Sequence, residues 1–203
     1  SNMLIDASKL SLGYGEIPLF SDVSFQLREG DRLRLHGRYG AGKTTLVKAI
    51  LATVEGKKPE SYIFGGIIDT APEIKIGTYE QEIDAKYLPM TLAGAIEHSF
   101  RAKGLNAPEQ KIKQLLGDFL FNPNTDGDVP IERLSGGQKA RFQLMQMLAD
   151  DQQVLILDEP TNHLDLPSIE ELEDALKQYH GAILYISHDS YFVKNLGGDI
   201  VPI

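Results

Sequence analysis

Eight residues, Gly37-Arg38-Tyr39-Gly40-Ala41-Gly42-Lys43-Thr44, have the types and spacing to hold a polyphosphate. They fit the pattern G-x-x-x-x-G-K-[ST]. Glycines at 37, 40 and 42 keep Cβ atoms out of the way, so the backbone can curl and aim its N–H groups inward. Such a concave ring of donors suits the oxygens of a di- or triphosphate. Lys43 adds a point charge for the β- and γ-phosphates, and the Thr44 hydroxyl can ligate Mg²⁺.

Two further stretches could do chemistry with that loop. Val154-Leu155-Ile156-Leu157 is an apolar run that ends in Asp158-Glu159. A buried strand of this kind delivers carboxylates at its C-terminal end, where open α/β sheets bind ligands. Asp158 would hold Mg²⁺, and Glu159 would polarise an attacking water as general base. Leu134-Ser135-Gly136-Gly137-Gln138 precedes a helical pattern carrying Lys139, Ala140 and Arg141. Ser135 is a good N-cap, and two glycines leave the helix N-terminus bare, a second anion-binding helix end in one chain. One domain cannot easily turn both ends on a single phosphate chain. The economical arrangement is that Ser135–Gln138 serves a nucleotide held by another copy or partner.

The elements around these residues read as an α/β protein. Asp31 to His36 is a strand into the phosphate loop, and Thr45 to Ala52 a helix out of it. That order points a helix N-terminus at the anion. Leu4 to Leu12 and Val23 to Leu27 read as antiparallel strands leading into the loop strand, which predicts a mixed sheet. Ile63–Ile68, Ile74–Tyr79 and Ala182–Ile186 are further strands. Thr91 can cap a helix over Leu92–Arg101, and Pro108 starts another with Ile112, Leu115, Leu116 and Phe119 on its apolar face. Gln138–Ala149 and Ser168–Tyr179 complete the helices. The expectation is one domain over residues 1–203, with a helical subdomain over about 88–149 inserted in an α/β core.

Bulk properties bound the rest. The chain has 203 residues, 42% hydrophobic and 24% charged, an ordinary globular balance. No apolar run approaches the roughly 18 residues of a membrane helix. Cysteine is absent, which excludes disulfides and Cys-based metal or redox chemistry. No signal-peptide pattern opens the sequence, Ser1-Asn2 reads as a tag remnant, and a cytoplasmic setting is expected. Net charge is −9, from 20 basic and 29 acidic residues, with little general attraction for nucleic acid or anionic lipid.

The three motifs, in this order, resemble the Walker A, LSGGQ signature and Walker B of an ABC-type ATP-binding domain, and the resemblance covers nearly the whole chain. It implies ATP as ligand, Mg²⁺ as cofactor and hydrolysis to ADP and phosphate. ATP contacts are implied for Tyr14, as the ring that stacks on adenine, and for Gly37, Arg38, Tyr39, Gly40, Ala41, Gly42, Lys43, Thr44 and Thr45. Gln81 matches the Q-loop glutamine that touches Mg²⁺ and the attacking water. His188, in Ser187-His188-Asp189, matches the H-loop histidine that contacts the γ-phosphate. Catalysis is thus assigned to Glu159, His188 and Gln81, Mg²⁺ to Thr44, Gln81 and Asp158, and the nucleotide in trans to Ser135, Gly136, Gly137 and Gln138.

Glu159-Pro160-Thr161-Asn162-His163-Leu164-Asp165 is more specific, with Asp165 in the D-loop. This wording resembles the ABC-F branch, whose members carry two ATP-binding domains in one chain and act on ribosomes. The segment from Glu82 to Arg133 lacks a long inserted arm, and Phe119-Leu120-Phe121 resembles a second-domain feature, so one half of a tandem protein, the C-terminal one, is expected. A second ABC domain is the implied partner, in tandem or as a homodimer, with the ribosome reached through regions outside this chain. Two departures stand out: Tyr39 replaces the usual asparagine, and Ser190 replaces the arginine that usually follows Ser-His-Asp. The alternatives are a transporter's ATP-hydrolysing subunit gripped by a transmembrane partner, and a nucleotide-binding scaffold that never turns over.

Overall fold

The computed structural model of the chain describes residues 2–80, 82–148 and 152–203. The elements run β1 (Met3–Gly13), β2 (Phe20–Arg28), β3 (Arg32–His36), α1 (Lys43–Val54), β4 (Tyr62–Thr70) and β5 (Ile76–Thr78). There follow α2 (Leu92–Ala102), α3 (Glu109–Asp118), α4 (Gly136–Leu148), β6 (Val154–Asp158), α5 (Leu166–Gln178), β7 (Ala182–Ile186), α6 (Ser190–Leu196) and β8 (Asp199–Pro202). Ser1, Gln81 and Ala149, named above, lie outside the described residues. The chain divides into two compact units: Ser1–Thr78 with Gln152–Pro160 and Tyr179–Ile203, and Tyr79–Asp151 with Thr161–Gln178.

Among the described residues the first unit holds every strand, in two sheets. The antiparallel one has the order β2-β1-β4, and the other, all parallel, the order β5-β6-β7-β3-β8. The antiparallel and parallel strands expected from the sequence are therefore both present, divided between two sheets. The division falls at Gly30, whose φ of 80° turns the chain out of β2. Asp31 stabilises that turn by accepting from the Arg28 N–H at 2.8 Å. Beyond it β3 takes β7 and β8, late in the sequence, as neighbours.

β1 shows why its alternation reads only loosely. Ile5 and Ala7 are buried, then Leu10 and Leu12, so the phase slips by one residue. A bulge lies between, with Lys9 in the left-handed region at φ 49° and its N–H on Ser24 Oγ at 2.8 Å. A one-residue slip would expose the whole buried face unless a bulge absorbs it. On β4 the opposing Gly66 has φ 82°, and a Cβ there would collide with the carbonyl oxygens of Ser8 and Lys9.

β6 and β7 are nearly continuous apolar runs, as a strand covered on both faces must be. Val154, Ile156, Ala182, Leu184 and Ile186 share one core with Leu46, Val47 and Ile50 of α1 and the inner face of the antiparallel sheet. Tyr185 faces the other way, edge-on to Phe192 of α6 at 5.9 Å. Neither α6 nor β8 is among the elements expected from the sequence. Both are short, and Pro202 sits in β8, where a sheet edge tolerates it.

The second unit is helical with its own core. Thr91 Oγ1 caps α2 by accepting from the Gly94 N–H at 3.1 Å. Leu92, Ile96 and Phe100 meet Ile112 and Leu116 of α3, Phe121, Ile131, and Phe142 and Met145 of α4. Phe142 is fully buried and lies edge-on to Tyr87 at 5.8 Å. Phe142→Ala is predicted to destabilise the protein by about 3–5 kcal/mol, read as a lowered urea midpoint.

Candidate nucleotide-binding site

In the first unit, β3 delivers the chain to Gly37 and α1 begins at Lys43. Gly40 and Gly42 have φ of 79° and 107°, so the loop runs through conformations that suit glycine. Gly42 is constrained twice over, since a Cβ there would also meet the Phe20 ring at 2.8 Å. Lys43 is buried, and its ammonium donates to Gly37 O at 2.5 Å and lies 3.4 Å from His188 Nε2. Thr44 Oγ1 donates to Asp158 Oδ2 at 2.9 Å. Thr45 Oγ1 donates to the Tyr14 hydroxyl at 3.3 Å. Arg38 and Tyr39 are exposed, Tyr39 completely, so the departure at this position projects into solvent.

The carboxylates come from the neighbouring strand. β6 ends at Asp158, paired in register with Ile186 of β7. Glu159 follows with φ 47°, its N–H bonded to Ile186 O at 2.9 Å. A glutamate in the left-handed region is uncommon and needs surrounding structure to hold it. Its Oε1 is 3.2 Å from His188 Nε2, and its Oε2 accepts from the His188 N–H at 3.3 Å. Arg34 of β3 donates to Ser187 O at 3.1 Å, fixing the turn after β7. Asp189 caps α6 by accepting from the Phe192 N–H at 2.9 Å. Tyr14, Gly37–Thr45, Asp158, Glu159 and His188 thus belong to one unit, Asp158 as the last residue of β6 and Glu159 and His188 just past the C-terminal ends of β6 and β7.

Ser135–Gln138 and Asp165 form a separate group in the second unit. Ser135 and Gln138 make a reciprocal capping box: Ser135 Oγ accepts from the Gln138 N–H at 3.1 Å, and Gln138 Oε1 from the Ser135 N–H at 3.0 Å. Asp165 caps α5, its Oδ1 accepting from the Ser168 N–H at 3.0 Å and from the Ser168 hydroxyl. Those bonds, the hydroxyl's first, hold its carboxyl below the usual aspartate range, and Arg141 adds to the effect. Gly137 lies against this cap, where a Cβ would come within 2.8 Å of Ser168 Oγ.

One buried contact has only a faint trace in the sequence. Gln143 on α4 is buried, and its amide donates to Glu80 O and Glu82 O, both at 2.9 Å. These carbonyls flank Gln81 in sequence. The sequence signal is a lone amide in the apolar run Phe142–Met145.

The family model described as "ABC transporter" matches residues 20–162. The chain belongs to the ABC transporter family. This ABC domain is 35% identical over 193 residues to the ribosome protection protein VmlR of Bacillus subtilis (strain 168), covering 94% of this chain and 32% of VmlR. It is 30% identical over 201 residues to ABC transporter F family member 2 of Arabidopsis thaliana, covering 98% and 28%. A solved structure titled "Structure of ATP binding subunit of ABC transporter" superposes with a TM-score of 0.74 at 23% identity, over 98% of this chain and 85% of that one, a likeness of fold. The domain spans between 28% and 36% of the length of the curated relatives it matches. Among the described residues no helix is long and apolar enough to cross a membrane.

The Asp165 cap has a pH signature. A depressed carboxyl stabilises the fold above the ordinary aspartate value of 3.8, and that stability is lost as pH falls through the lower folded value. Wild type is therefore predicted to exceed Asp165→Asn in urea midpoint by a constant margin from pH 7 to 5. The margin should close below the ordinary value; a margin that widens on acidification would contradict this.

Proposed function

We propose that this ABC domain binds ATP with Mg²⁺ and hydrolyses it, paired with a second ABC domain, in a protein of the ABC-F type. The observation that carries the reading is the contact of Thr44 Oγ1 with Asp158 Oδ2 at 2.9 Å, beside the buried Lys43 ammonium. Two oxygens from different elements meet where the phosphate loop ends, a donor set suited to a hard cation. Mg²⁺ is usually held by one or two carboxylates plus substrate phosphates rather than by an all-protein cage. Thr44 and Asp158 would hold it here, and when bound it neutralises charge on the β- and γ-phosphate oxygens.

The chain's own groups then have separable tasks. Main-chain N–H groups of Gly40 to Thr44 receive phosphate oxygens at the start of α1. Lys43, now bonded to its own loop through Gly37 O, transfers its ammonium to a phosphate oxygen. Glu159 accepts a proton from the water whose oxygen attacks the γ-phosphorus, and ADP leaves. Both Glu159 oxygens face His188, one its ring and one its N–H. A γ-phosphate that draws off the imidazole would free Oε1 for that water. Ser135–Gln138 serve the nucleotide of the paired domain, with Asp165 bracing the loop through Ser168 and Gly137.

The ABC-F assignment rests on Glu159–Asp165 and on relatives such as VmlR and the F family member; it makes a ribosome-directed ATP switch the preferred role. Glu159→Gln is predicted to retain ATP binding and lose about 10²–10⁴ in hydrolysis rate, measured as phosphate release. Hydrolysis at the normal rate would remove Glu159 from the reaction. The rate per wild-type molecule should rise with protein concentration, since catalysis needs a paired domain; a wild type without turnover at any concentration would favour a nucleotide-binding scaffold.

A further inference from the structure

The turn after β7 is held on both sides. Ile186 O accepts from the Glu159 N–H at 2.9 Å, which ties the turn to the end of β6. The next carbonyl, Ser187 O, accepts from Arg34 Nη2 at 3.1 Å, which ties it to β3. Ser187 is buried, and its hydroxyl accepts from the Asp189 N–H at 3.1 Å. Arg34 is an unexpected residue for its place. It lies in register with Tyr185 of β7 and Ile200 of β8, while Leu33 and Leu35 on either side of it enter the core. Its Nε is buried without an acceptor, and the Tyr185 hydroxyl on the same face is engaged by Gly197 O at 2.7 Å. A guanidinium part-satisfied in such surroundings costs stability, and an apolar side chain of similar length would pack there at least as well. What Arg34 supplies is one charged donor, aimed at the carbonyl that precedes His188. Residues that break a packing rule in this way are expected at functional sites.

We propose that Arg34 is a positioning residue for His188: by holding Ser187 O it fixes the turn after β7 against the phosphate-loop strand and keeps the imidazole between Lys43 and Glu159. The proposal rests on the reading of Glu159 and His188 as parts of a hydrolytic site. His188 Nε2 is 3.4 Å from Lys43 Nζ and 3.2 Å from Glu159 Oε1. Its side chain is 56% exposed, so packing does little to hold the ring and the backbone beneath must set its place. β7 lies between β6 and β3, and the ring bridges groups that follow those same two strands. With Arg34 removed, the turn keeps its tie to β6 and loses the one to β3. A shift of about 1 Å in a reacting group can cost about 10²-fold in rate.

Arg34→Met keeps most of the side-chain stem and removes the donor. It should lower kcat for ATP hydrolysis by about 10- to 100-fold. ATP affinity, measured by calorimetry, should change by less than about threefold. The urea midpoint should stay level or rise, since a poorly satisfied guanidinium has gone. Arg34→Lys, which restores a charged donor, should lose less kcat than Arg34→Met. The ¹⁵N resonances of the His188 ring should shift in Arg34→Met and return toward wild type in Arg34→Lys. Wild-type kcat in Arg34→Met would overturn the proposal. A kcat loss matched by equal losses in ATP affinity and urea midpoint would overturn it too, by making Arg34 a general prop of the fold. Absence of hydrolysis in the wild type would defeat the hydrolytic reading alone. The His188 resonances then decide: unchanged in Arg34→Met they overturn the proposal, and shifted they support it.

Discussion

A buried ammonium is the constraint around which the first unit is arranged. Removing a lysine charge from water is costly unless acceptors surround it, and Lys43 is only 7% exposed. Gly37 O, 2.5 Å away, supplies the nearest acceptor, so the loop closes on its own lysine. That closure needs left-handed glycines at 40 and 42, and Gly42 lets the Phe20 ring approach the start of α1. A polyphosphate offers Lys43 the same kind of partner, more strongly charged.

The parallel sheet determines which groups can surround that ammonium. β3 lies between β7 and β8, and β6 lies next to β7, so the ends of β3, β6 and β7 form one edge. The apolar bodies of β6 and β7 leave those strands little freedom to slide, because a slip in register would break a core shared with α1 and the antiparallel sheet. The rigid strands therefore fix Asp158, Glu159 and His188 to within a hydrogen bond of their partners. Glu159 adds a strained backbone, held by its N–H on Ile186 O.

Much of this was legible beforehand because the relevant signals are local. The phosphate loop is a contiguous pattern. Val154–Leu157 can hardly be anything but a covered strand, and Thr91 and Ser135 announce their helices by capping chemistry. Ser135 and Gln138, three residues apart, have the spacing of a capping box as well as that of the signature. The parts that were not legible depend on partners distant in sequence. The split into two sheets rests on β3 choosing β7 and β8, more than a hundred residues away. The bulge at Lys9 depends on Gly66, and the clamp of Gln143 on carbonyls near residue 80. The Thr45–Tyr14 bond joins two residues that motif reading assigns separately to phosphate and base. The left-handed backbone of Glu159 leaves no trace in residue type, since glutamate is not selected for that conformation.

The most direct test of the account is where a nucleotide perturbs the backbone. Addition of Mg²⁺-ATP to the ¹⁵N-labelled chain should shift the amide resonances of Gly40, Ala41, Gly42, Lys43 and Thr44 more than any others, as their N–H groups take up phosphate oxygens. Saturating Mg²⁺-ATP that leaves these five resonances in place, whatever it does elsewhere, would contradict the account.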